Sequence, residues 1–135
     1  IGRYKLTKIP YYEMLRKHGL IMIKEIFSFV DKNGLSEDNC LIFSCITFHP
    51  DIVIPDKVKE KYPAYITLII DEEFSGFRCD EKGFHVTLNF WFMKNVSMYI
   101  PFDSLISFEE EKQKIIIPLP IEKEITTEIE KRKGN

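Results

Sequence analysis

Residues 71–73 of the chain are three carboxylates in a row, Asp71-Glu72-Glu73, set between the apolar run AYITLII and two phenylalanines, Phe74 and Phe77, that bracket Ser75 and Gly76. Two carboxylates facing each other in a dry cleft can share general acid and base work, and a cluster of them can attract a cation. On an extended strand, however, Asp71 and Glu73 share one face and Glu72 takes the other, and acids at a strand end are ordinarily solvated. Nucleophilic catalysis would need a base, and the only histidines are His18, His49 and His85, none in a G-x-S-x-G or H-E-x-x-H setting. Cys40 and Cys45 lie five apart with no histidine at zinc-finger spacing, and with Cys79 they read as small buried apolar residues. The glycines are too scattered to cradle a phosphate. These residues predict no enzyme, no metal centre and no cofactor.

A groove for an extended peptide fits the same stretch. Main-chain hydrogen bonds would supply affinity and pockets for alternate side chains would supply selectivity. Ile69, Phe74 and Phe77 would form apolar walls, Asn89 would offer an amide able to donate and accept toward backbone, and Asp71 and Glu73 would border the groove and tune which peptide is welcome. Nucleic acid is a poor alternative. The formal charge is −2 with both signs interspersed, and Trp91, Phe92 and Tyr99 have only Lys94 close in sequence.

The elements that must hold these residues follow from periodicity. From Pro10 to Asp31 the apolar spacing is helical, with Asn33-Gly34 as its stop. Leu20 and Ile21 flank the polar stripe and Phe27 widens the apolar arc, so these three are expected to meet a second subunit, scattered surface apolar residues being the ordinary alternative. The period then drops to two. Strands are expected at 40–48, 52–55, 64–70 (dense enough to be central), on both sides of the turn Asp80–Gly83, and at 96–102 and 114–120. Phe84, Val86, Leu88 and Phe90 share the core face of the clearest strand. This order predicts an α+β, mainly β domain over 1–120, with the helix packed on a small two-sheet sandwich or partly open barrel. The charge-dominated segment 121–135 is expected to be mobile or loosely docked. No run approaches the roughly 18 apolar residues of a membrane helix, no secretory segment is visible, and the odd cysteine count suits a reducing cytoplasm.

The ordered set KEKYPAYITLIIDEEFSGFRCDEKGFHVTLNF and YIPFDSLISF resembles the stringent starvation protein B (SspB) family in its alphaproteobacterial branch, over about residues 11 to 108. Lys61, Tyr62, Thr67, Phe74, Gly83, Phe84, Leu88, Phe90, Ile100 and Pro101 match that branch's pattern. The resemblance implies a proteolysis adaptor: a homodimer joined through helix contacts that binds the ssrA-like degradation tag of stalled nascent chains and delivers it to the ClpX unfoldase of the ClpXP protease. Departures fall at the groove. The branch carries Gln-x-Gln where this chain has Asp71-Glu72-Glu73 and Trp-Asp where it has Ser75-Gly76, and its ClpX-docking tail has only a faint echo in EIEKRKGN. A diverged β-domain without tag delivery, or an Sm-like RNA-binding module, are the other readings.

Overall fold

The helical pattern produces α1, Tyr11–Asn33, and its core stripe is Gly19, Ile23, Phe27 and Val30. The stop is where it was expected. Gly34 adopts φ 76°, which only glycine takes without strain, and its N–H reaches the Val30 carbonyl at 2.7 Å. The structure, a computed structural model, describes residues 6–72 and 74–134.

Seven strands follow: β1 (Leu41–Ile46), β2 (Tyr65–Ile70), β3 (Ser75–Cys79), β4 (Gly83–Leu88), β5 (Val96–Pro101), β6 (Leu105–Glu110) and β7 (Ile115–Ile117). A short helix, α2 (Asp56–Lys61), precedes β2. The strands form one sheet of order β2-β1-β6-β7 and a second of order β3-β4-β5, antiparallel throughout. The class is α+β and mainly β, as the periodicity predicted, with two sheets and no closed barrel.

Three sequence expectations change. The run 64–70, expected as a central strand, forms β2 at the outer edge of its sheet, because β1 and β6 take the centre. Its clean alternation, with Ile66, Leu68 and Ile70 buried and Tyr65, Thr67 and Ile69 exposed, marks one buried face rather than two. The segment 52–55 contributes only a bridge between Val53 and Tyr99. Conversely, β6 was not anticipated; its alternation is interrupted opposite a register shift at Ser44/Cys45 and it ends in a buried acid, Glu110.

Phe27 stands at the centre of the core, not on a surface. It is 0% exposed and packs against Phe43 and Phe108 of one sheet, Phe84 of the other, and Phe102 in the turn between β5 and β6. A helix crossing the opening between two sheets needs a wider apolar arc than one lying on a single sheet, which explains the excess and removes Phe27 from any subunit interface. Leu20 is half-buried against the same core, while Ile21 is exposed.

The charged segment after Pro120 is also ordered, as α3 (Lys123–Lys133), where a mobile or loosely docked tail was expected. Its few apolar residues are spaced for one face. Ile129 is buried with Ile46 and Ala64, Ile125 packs beside them, and the Arg132 guanidinium lies 4.5 Å from the centre of the Phe48 ring.

Candidate functional site

β2 closes one sheet and β3 closes the other, yet they are consecutive in the chain, joined only by residues 71–74. Each therefore keeps one strand edge without a ladder partner among the described residues, and the sandwich is open between them. Part of the β3 edge is taken by α1: the Cys79 N–H donates to the Asp31 carboxylate at 3.0 Å. The opposite end of β3 is irregular. Its register against β4 shifts between Ser75 and Arg78, where Gly76 takes φ 60°. The free stretch thus runs along β2 and the first half of β3.

Aromatic side chains floor this opening. Phe74 meets Phe77 edge to face at 5.9 Å, and Phe77 stacks on Phe84 at 5.8 Å; Phe74 and Phe77 are half-buried against the core. Beyond the end of β4, Phe90 and Phe92 lie 5.6 Å apart, and Phe92 approaches Tyr62 at 6.4 Å. Trp91 is 75% exposed, with the Lys61 ammonium 4.4 Å from its ring centre and 5.2 Å from that of Phe92. A cation over two rings is held by their quadrupoles while it stays wet.

The predicted groove residues are only partly brought together. Phe74 and Phe77 meet at the opening. Asn89 is exposed at the end of β4, but its carbonyl oxygen accepts the Asn95 N–H at 2.8 Å, which fixes the 89–95 loop and leaves only the amide N–H donors toward solvent. Ile69 is not among them: it is 53% exposed on the outer face of the four-stranded sheet, opposite Ile42, while its neighbours Leu68 and Ile70 point to the core. Asp71 is exposed and accepts the Glu72 N–H at 2.6 Å. Glu73 lies outside the described residues. Tyr62, Phe90 and Phe92 were missed as site residues; the signal available was the density of aromatics in NFWF and the lysine directly before Tyr62.

Charge is distributed lengthwise. Lys61 stands just before β2 and Asp71 and Glu72 just after it, and the six residues of β2 span roughly 20 Å. Among the described residues no group of three or more His, Cys, Asp or Glu side chains is placed to hold a metal ion, and no helix is long and apolar enough to cross a membrane. Burial drives the Cys45 thiol up to about 12, so this group is a core filler rather than a nucleophile.

Fold and opening together define a class: a two-sheet binding domain that offers strand edges and aromatic walls, with no cluster of reactive groups at the opening. The model of the stringent starvation protein B (SspB) family matches residues 18–133, and the chain belongs to that family. The family is one of adaptors in proteolysis rather than of enzymes. No curated protein matches the chain. The segment that faintly echoes the family's ClpX-docking tail is not extended here, since it forms α3 with Ile129 buried.

Proposed function

We propose that this protein is a peptide-binding adaptor whose opening between β2 and β3 takes an extended segment of an ssrA-like tagged protein and carries it, in the cytoplasm, to the ClpX unfoldase. The observation that carries this reading is the pair of consecutive outer strands with free edges bordering half-buried aromatic walls. A peptide added to the β2 edge would gain ladder hydrogen bonds and seat alternate side chains on Phe74 and on the Phe90 and Phe92 rings. No bond chemistry is required. Two copies of the domain, joined through α1, would raise the local concentration of substrate at the unfoldase by multivalency.

The peptide it prefers is polar in charge. Asp71 and Glu72 occupy one end of β2 where the resembling branch carries amides, so they repel an acidic tag and favour a neutral or basic residue there; Lys61 favours an acid at the other end. Each exposed pair contributes on the order of 1 kcal/mol or less, and two together alter affinity by about tenfold.

Labelled peptides of matched length with acidic, neutral and basic ends, titrated by fluorescence anisotropy, test this. The basic-ended peptide should bind about tenfold tighter than the acidic one, and Phe74→Ala should weaken both. Absence of binding by every peptide, or affinity unmoved by Phe74→Ala, refutes the groove. Co-precipitation of ClpX with the protein and a bound tagged substrate tests delivery separately.

A further inference from the structure

Positions 11, 15, 18, 22, 25 and 29 of α1 advance by alternating steps of four and three, the spacing of a two-helix seam. They carry Tyr, Leu, His, Met, Glu and Phe. All six are exposed, Phe29 at 65% and Tyr11 at 64%. The stripe that packs on the domain, Gly19 to Val30, lies roughly 100° round the helix. α1 therefore has two apolar stripes and the domain uses one.

The second stripe is complementary to its own reverse. Met22 sits near its middle; Leu15 and Phe29 lie seven residues to either side, and His18 and Glu25 lie four before and three after it. Parallel pairing of two copies would set Glu25 against Glu25 and His18 against His18. Antiparallel pairing sets His18 against Glu25 twice and Leu15 against Phe29 twice, so charge chooses the direction. An apolar groove of about 400 Å³ runs beside the stripe, between α1 and the four-stranded sheet, lined by Met22, Ile26, Phe29, Leu35, Phe108 and Ile115. Leu15 of a second copy, arriving opposite Phe29, reaches its rim.

We infer that two copies of this chain pair through antiparallel α1 helices with the two-fold axis beside Met22, held in register by reciprocal His18–Glu25 contacts and Leu15–Phe29 packing. This rests on the reading of α1 as the joint between adaptor subunits. It adds the direction, the register and the residues that set them.

Cysteine cross-linking in a Cys79→Ser background separates the two levels, since Cys40 and Cys45 are buried. Under mild oxidation Met22→Cys should cross-link to itself. Leu15→Cys and Phe29→Cys should each fail alone and cross-link when mixed. His18→Glu should weaken the dimer about tenfold in sedimentation equilibrium, and His18→Glu with Glu25→Lys should restore it. Self-cross-linking of Leu15→Cys, or a dimer indifferent to His18→Glu, overturns the register while leaving the joint intact. A chain that sediments as a monomer at all concentrations overturns the joint itself.

Discussion

Phe74, Phe77 and Phe27 form a line from the opening into the core, and truncating each to alanine should separate folding from binding. Phe27 is fully buried with five ring partners, at 4.5 to 6.0 Å. Its loss leaves a cavity between the sheets and should cost about 3–5 kcal/mol. Phe77 keeps three ring partners, Phe27, Phe74 and Phe84, and is half-buried, so about 2–3 kcal/mol is expected. Phe74 has one ring neighbour, Phe77, and its truncation should cost only about 1 kcal/mol of stability. Peptide binding should run the other way. Phe74 contributes the outermost wall, and burying its remaining surface under a peptide is worth about 1–2 kcal/mol, a five- to thirtyfold loss in affinity for Phe74→Ala. Urea denaturation gives the first series and anisotropy titration of the folded variants gives the second. Equal destabilisation by Phe74→Ala and Phe27→Ala, or a peptide affinity that falls in proportion to stability, would refute the assignment of Phe74 to a binding wall.

Other expectations concern the scaffold. A Cβ at Gly83 would stand 2.5 Å from the Ile100 carbonyl oxygen and 2.8 Å from the Tyr99 ring, so Gly83→Ala should lower stability by about 2–3 kcal/mol in thermal denaturation, through a forced separation of β4 and β5. The buried Glu110 carboxylate is pushed up by burial but held below the usual range by the donors of Cys40 N–H at 3.0 Å, the Asn39 amide at 2.7 Å and Lys112 N–H at 3.1 Å. Because its folded value is depressed, its contribution is present in full above the unfolded value of about 4.3 and disappears as pH falls through the lower folded one; Glu110→Gln should flatten that part of the acid limb of stability against pH. Ile129→Ala should cost about 2 kcal/mol at the α3 contact, and faster amide exchange confined to 123–133 should report it, since an isolated helix of 11 residues is marginal in water.

The groove was legible only as a set of residue types. Phe74 and Phe77 could be picked out because two phenylalanines beside a run of acids at a strand end are unusual. Ile69 could not be excluded, because in an alternating run the inner and outer faces look alike until the opposite sheet is placed. Asn89 read as a free amide, since nothing local says that Asn95 will claim its oxygen. Tyr62 and Phe92 are thirty residues apart and meet only when α2 and the 89–95 loop arrive at the same end of the sandwich.

Sequence alone determined what short-range physics controls: the length and stop of α1, the inward set Phe84, Val86 and Leu88, the turn at Asp80–Gly83, and the α+β class that their order implies. Tertiary structure decided everything that depends on which surface is covered. It sent β2 to an edge and β6 to the centre, drew Phe27 inside, and turned a charge-rich tail into a docked helix through Ile129. The reason is common to all four. Periodicity says that a face is apolar, but whether that face meets the core, another copy or water is set by long-range contacts, whose partners lie far away along the chain.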